Sequence, residues 1–280
     1  MKSNQTKKYR KAAFCLAGMM LALPVLAQDN INEEELDDDI LLLSPFEVEA
    51  SSNVGYLATQ TLAGTRIKTD LKDVGSAISV VTKEMLQDTG ATDNQTLLSY
   101  TTNTEVGGTS GNFAGFVGDS GSLDETTSLM HPNTNTRVRG LTSADNTRDY
   151  FVSEIPWDSF NTERVDMQRG PNSILFGLGS PAGIINSSTN AANFDKTGGN
   201  VETKVDRWGT FRVSADYNQI VLPDELAVRV DLLKDNTKYR QKQAYENDQR
   251  AFFAARYAPK FLNTDNVNTQ LKVNYEHGEI

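Results

Sequence analysis

The sequence predicts a mixed α+β unit with short helices, followed by a run of long antiparallel strands. Three observations predict it. Between Ser51 and Asn190, short apolar segments alternate with helix-capping residues and glycines. From Gly199 to Ile280, apolar residues settle into a period of two. The chain opens on a basic, then apolar, segment that ends in small residues, a pattern that marks it for export.

The 280 residues carry 37 acidic and 27 basic side chains, a net charge of −10. That balance leaves no basic footprint for nucleic acid. The longest apolar run, Ala12–Ala27, contains Pro24 and falls short of the ~20 residues a transmembrane helix needs. Lys2, Lys7, Lys8, Arg10 and Lys11 precede it, and Val25-Leu26-Ala27 closes it, so residues 1–27 read as a signal peptide cut after Ala27. Phe14 beside Cys15 is too bulky for a lipoprotein cleavage site. Removing the segment takes away the one cysteine and leaves net charge −15. The remainder can hold neither a disulfide nor a thiolate metal site.

Residues 28–50 form a tether. Seven acids lie within Asp29–Asp39, a run that self-repels and has little to bury. Pro45 then blocks a helix, and Phe46, Val48 and Ala50 alternate with Glu47 and Glu49 in an extended, strand-ready peptide.

Residues 51–192 form the α+β unit. Ala77–Val81 is a strand. Thr82 caps a helix over Lys83–Gln87, with Val81 and Leu86 as a hydrophobic staple, and Gly90 ends it. Thr92-Asp93-Asn94-Gln95 is a capping box that opens a second helix through Tyr100. Thr101–Asn135 is rich in Gly, Ser, Thr and Asn and is too long for an ordinary connection, so it is functional or mobile. Arg137–Leu141 and Asp149–Val152 return to strand character.

Residues 199–280 hold five alternating stretches, led by Val201, Phe211, Leu226, Phe253 and Leu271, with turn residues between them. Long strands of period two are the pattern of an outer-membrane β-barrel, apolar toward lipid. An amphipathic meander in a soluble protein alternates in the same way. Periodicity alone leaves both open.

One segment decides between them. Glu163-Arg164-Val165-Asp166-Met167-Gln168-Arg169-Gly170-Pro171 leads through Leu175-Phe176-Gly177 to Gly179-Ser180-Pro181-Ala182-Gly183-Ile184-Ile185-Asn186. This resembles the plug signature of TonB-dependent outer-membrane receptors, and its last part is most like the siderophore-receptor branch. Val138-Arg139-Gly140-Leu141 and Asp149-Tyr150-Phe151-Val152 resemble the family's upstream element, with Tyr150 where the family has glycine. Phe46–Ser51 sits where the TonB box would lie. The resemblance implies an α+β plug domain, a small mixed sheet with short helices, followed by the first antiparallel strands of an incomplete transmembrane β-barrel. A full barrel of this family has about 22 strands, and residues 199–280 suffice for about five, so a truncated receptor is expected.

The same resemblance implies energised uptake, with Phe46, Glu47, Val48, Glu49 and Ala50 pairing with TonB by strand addition. It implies a ferric siderophore as ligand, with cobalamin, haem or oligosaccharide as alternatives, and an outer-membrane location with the plug facing the periplasm. A non-transporting plug that only engages the transducer, and a non-functional fragment, are the other readings. Glycines and Pro171 shape the turns. Arg137, Arg139, Arg164 and Arg169 can reach carboxylates, and Arg139 and Arg169 are the first choice for a buried network. Phe113, Phe116 and Arg148 are ligand candidates, because an aromatic pair beside a cation suits an iron complex.

The residues give no enzyme and no resident cofactor or metal. Gly177, Gly179 and Gly183 miss the dinucleotide fingerprint by one residue, and His131 and His277 lie too far apart in sequence for a zinc pair or a triad. N-terminal sequencing of exported material is expected to begin at Gln28; a chain that still begins at Met1 would overturn the signal-peptide assignment.

Overall fold

The computed structural model describes residue 48 and residues 55–64, 67–106, 136–170, 179–240, 242–263 and 267–280. Residues 1–27, the acidic run, Phe46, Glu47, Glu49, Ala50, Phe113, Phe116, Pro171, Phe176 and Gly177 lie outside the described residues.

The first part begins with a small hairpin, β1 (Gln60–Thr61) against β2 (Thr69–Asp70). Strand β3 (Ala77–Thr82) runs directly into helix α1 (Lys83–Thr89). The Thr82 hydroxyl accepts from the Met85 amide at the helix start, and Gly90 takes the left-handed C-cap conformation. Val81 and Leu86 both join the core, as the staple requires. Helix α2 (Asn94–Leu98) departs from expectation at both ends. Its cap is Asp93, whose carboxylate accepts from the Thr96 amide at 2.8 Å while the Thr96 hydroxyl accepts from the Asp93 amide at 3.2 Å. The box is therefore displaced one residue from Thr92, and the helix ends before Tyr100.

Strands β4 (Thr104–Val106) and β5 (Thr136–Val138) pair with each other, so the start of the long glycine-rich segment is ordered strand. Strand β5 stops short of Leu141, because Arg139 and Gly140 turn with φ of 54° and 69°. The five-stranded sheet has the order β3-β8-β9-β6-β7, built with β6 (Asp145–Arg148), β7 (Phe151–Val152), β8 (Thr162–Arg169) and β9 (Gly183–Thr189). β6 and β9 run parallel, and the other neighbours are antiparallel. The sheet packs on α1 and α2 through Val81, Leu86, Leu97, Leu98, Val165 and Ile185.

The second part is one antiparallel sheet in sequence order: β10 (Gly198–Val205), β11 (Phe211–Leu222), β12 (Leu226–Lys238), β13 (Tyr245–Tyr257) and β14 (Leu271–Glu279). All five expected strands are present, and each is longer than its apolar stretch. Their burial separates the two readings that periodicity left open. Val201, Phe211, Tyr217, Leu232, Val273 and Tyr275 are exposed, while Arg212, Asn218, Arg229, Asp231 and Arg250 on the opposite face are buried. A soluble meander would bury the first set and wet the second. This sheet has the polarity of a barrel wall.

Gly183 shows how tightly β8 and β9 are joined. Its φ is 120°, and a Cβ there would stand 2.0 Å from the Gln168 carbonyl oxygen. Gly183→Ala is expected to cost more than about 3 kcal/mol, or to prevent folding. Gly90→Ala, at φ 65° with open space around it, should cost only about 1–2 kcal/mol. Urea midpoints of the two variants check the order.

Candidate functional site: a charged seam between the two sheets

The seam starts with the side chains that β8 and β9 carry. Alternation along β8 puts Arg164 and Asp166 on one face, where they form a buried pair at 2.7 Å and 3.1 Å. This pair holds β1 of the opening hairpin. Arg164 donates to the Gln60 carbonyl at 2.8 Å, and the Thr61 hydroxyl donates to Asp166 at 3.0 Å. The Tyr150 hydroxyl also donates to Asp166, at 3.4 Å. Burial, and then the Asp166 charge, push the Tyr150 phenol far above its ordinary value, so it stays neutral. Val48, Leu62, Tyr150, Glu163, Arg164, Asp166 and Ser188 line a cleft beside this cluster.

Asn186 fixes the turn after β6. Asp149 and Tyr150 both take positive φ, 47° and 66°, a conformation costly for a tyrosine. The Asn186 side-chain oxygen accepts from the Tyr150 amide at 2.7 Å and from the Thr147 hydroxyl at 3.0 Å. The Asp149 carboxylate accepts from the Thr189 amide and hydroxyl, both at 2.8 Å. These bonds make up for the missing glycine.

The expected arginine network is rearranged. Arg164 is the most engaged member, donating through Nε and Nη2, while its buried Nη1 has no hydrogen-bond partner among the described residues. Arg169 is buried and donates to the Ser79 hydroxyl at 2.8 Å; its Nε and Nη2 have no hydrogen-bond partner among the described residues. Burial, then the nearby Arg139 charge, lower its pKa. Arg139 is exposed, which corrects its placement in a buried network. The reason is the turn: β5 ends at Val138, and Arg139 sits in left-handed backbone with its guanidinium beside Gly170. Arg137 pairs with Glu105 across β4 and β5, partly exposed.

The wall sheet supplies the other side of the seam. Asp158 caps a 3-10 turn, accepting from the Phe160 amide, and takes a two-pronged bond from Arg212 on β11 at 2.5 Å and 2.8 Å. Arg212 also reaches Asp235 on β12 at 2.9 Å. Arg229 grips Asp216 at 2.7 Å and 2.8 Å and donates to the Ala191 carbonyl, while Lys83 of α1 meets the same Asp216 at 2.8 Å. Asn190 donates to Asp231 at 2.7 Å, and Arg250 donates to the Pro156 carbonyl at 2.7 Å. Arg148 pairs with Glu276 on β14, which also accepts from Asn161 at 2.7 Å. Phe160, Ala192, Ala227, Leu233, Phe252 and Ala254 form an apolar island within the seam.

Arg148 is thus on strand β6 and engaged by the wall. The wall residues Arg212, Asp216, Arg229, Asp231, Arg250 and Glu276 were not singled out from sequence. Their signal was available, since they occupy the polar positions of the alternating strands and are charged on both signs. Among the described residues, no cluster of three or more His, Cys, Asp or Glu could hold a metal ion.

Comparisons with known proteins agree with this architecture. Residues 70–184 match the family model described as the TonB-dependent receptor plug domain. The ferrioxamine receptor of Yersinia enterocolitica is 28% identical over 206 residues, covering 70% of this chain and 26% of the relative. The catecholate siderophore receptor Fiu of Escherichia coli K12 is 26% identical over 83% of this chain and 28% of its own length. The ferripyoverdine receptor of the Pseudomonas aeruginosa outer membrane superposes with a TM-score of 0.65 at 16% identity, over 85% of this chain and 29% of the other. The chain therefore spans little more than a quarter of these relatives. They are receptors, not enzymes.

Removing the Asp158 carboxylate would leave Arg212 buried with only Asp235. Asp158→Ala is expected to cost about 3–5 kcal/mol, whereas Asp158→Ala combined with Arg212→Met should recover most of it. Urea unfolding of the single and double variants tests this; equal losses in both would remove the seam from the account.

Proposed function

We propose, from the premise that this chain carries a plug domain of the TonB-dependent receptor family, that it serves energised import of a ferric siderophore across an outer membrane. One observation carries the proposal. The plug lies on the polar face of a sheet whose other face is apolar and exposed, as a stopper lies against a membrane-spanning wall. The similarity to ferrioxamine and catecholate receptors supports an iron complex as the ligand; cobalamin, haem and oligosaccharide are the alternatives. The plug closes the lumen on the periplasmic side.

In this reading Phe46, Glu47, Val48, Glu49 and Ala50 form the coupling peptide, which adds as a strand to TonB. The segment leads toward β1, and β1 is tied to the Arg164–Asp166 pair. A pull on the peptide therefore acts first on the plug's buried charges. Phe113 and Phe116 supply stacking to the ligand. Arg148 contributes only when its pair with Glu276 opens.

The gene that encodes this chain is tested in an outer-membrane host lacking its own siderophore receptors. Labelled ferric hydroxamate or catecholate uptake should appear, and a protonophore should abolish it. Val48→Pro should reduce uptake at least about tenfold while equilibrium binding is unchanged, because proline removes a ladder donor. Full uptake by Val48→Pro would sink the coupling assignment. Uptake that ignores the protonophore would sink the energised mechanism.

A further inference from the structure

The wall sheet is charged unequally at its two ends. Its register brings Val205, Phe211, Asn236 and Asn247 level with one another. At that end, Lys234 and Lys238 lie on the outward face, since they share alternation with Leu226, Val228, Val230 and Leu232. Arg207 follows β10, and Arg240 and Lys242 follow β12. All five cations are exposed, and none forms an ion pair among the described residues.

The five cations outnumber the acids left without an ion pair at this end, which are Asp206, Glu246 and the exposed Glu279, level with Lys234 through Gln249. Asp206 accepts from the backbone of its own turn, at Trp208 and Thr210. Asp235 and Asp248 are held on the inner face by Arg212 and Arg250. Glu246 accepts from the Tyr239 hydroxyl at 2.8 Å. The opposite end exposes three cations, Lys196, Lys260 and Lys272, with the acids Asp195 and Asp224, and Glu225 is partly buried there. Positive charge is therefore gathered at one rim of an exposed apolar face.

Aromatic side chains mark the same rim. Trp208, Tyr239 and Tyr245 are exposed, and the Arg207 guanidinium lies 4.5 Å from the Trp208 ring centroid. Rings with one polar edge settle at the level of lipid headgroups. Between the two rims, the outward residues from Leu226 to Leu232 span about 20 Å of apolar surface.

We propose that Arg207, Lys234, Lys238, Arg240 and Lys242 form a docking surface for anionic, phosphate-bearing lipid headgroups of the leaflet that meets this rim. The proposal rests on the reading that the outward face meets lipid. Lys234 and Lys238 reach up from the apolar face, with their stems along it and their ammonium groups at phosphate depth. Arg207 is held by Trp208 and can give two parallel hydrogen bonds to one phosphate.

The test uses the protein containing this chain, inserted into vesicles of phosphatidylcholine alone or of phosphatidylcholine mixed with bis-phosphorylated lipid A. Protease protection in the neutral vesicles reports whether the apolar face inserts at all. If it does not, the lipid-facing reading fails and the proposal fails with it. With insertion established, lipid A should slow urea unfolding of the wild type roughly tenfold at low salt, and high salt should cancel the gain. The combined variant R207Q, K234Q, K238Q, R240Q and K242Q should insert into neutral vesicles as before and lose the response to lipid A. K260Q, at the other end, should keep it. Equal slowing in the five-site variant, or the same slowing of the wild type by inorganic phosphate without lipid A, would overturn the docking surface.

Discussion

The structure depends on one reversal: the second sheet turns its polar face inward. Once Arg212, Arg229, Asp231 and Arg250 are buried, each needs a partner, because an unpaired charge away from water is too costly to keep. Neighbouring strands provide some of these partners, and the plug provides the rest. Asp158 answers Arg212, Lys83 answers Asp216 and Asn190 answers Asp231. The plug is therefore positioned by charge placement, with the small Phe160–Phe252 island adding apolar contact.

That constraint reaches into the plug's own sequence. The short run from Pro156 to Asn161 carries four wall contacts: a carbonyl for Arg250, a carboxylate for Arg212, a ring for the island and an amide for Glu276. Within it, Asp158 also caps the 3-10 turn over Ser159–Asn161. On β8 the same logic operates between layers. Arg164 and Asp166 pair with one another and also reach outward to β1, so the opening hairpin is fastened by side chains of the signature strand.

The sequence showed the parts whose cause is local. Period two located all five wall strands, because alternation follows from the pleat. Thr82, Val81, Leu86 and Gly90 delimited α1, because caps and staples act within one turn. Less legible were features set by contacts distant in sequence. Asp93 displaces Thr92 as cap because the Thr96 hydroxyl can return the bond. β4 is a strand because β5, more than 29 residues on, pairs with it. Tyr150 takes a glycine's backbone because Asn186 lies against it. The seam itself was half legible: alternation put the charges on one face and the signature motif implied that this face would turn inward, but which acid meets which base depends on register and on the plug's seat.

A charged seam suits a part that has to move. An apolar interface separated inside a water-filled lumen would expose surface that water does not stabilise, and about 25 cal/mol would be lost for each Å² opened. Charges can exchange one another for hydration at much lower net cost, since the desolvation they gave up on burial returns when water enters. In the proposed import cycle the plug must shift and then reseat. The contacts between Asp158 and Arg212, and between Arg148 and Glu276, specify the closed position through geometry while leaving a wettable path out of it. Apart from Phe160 and Ala192 in the island, the plug's core clusters elsewhere, between its own sheet and helices α1 and α2. Cohesion within the plug and contact across the seam are thus assigned to different physical interactions, so the seam can open without dissolving the plug's core.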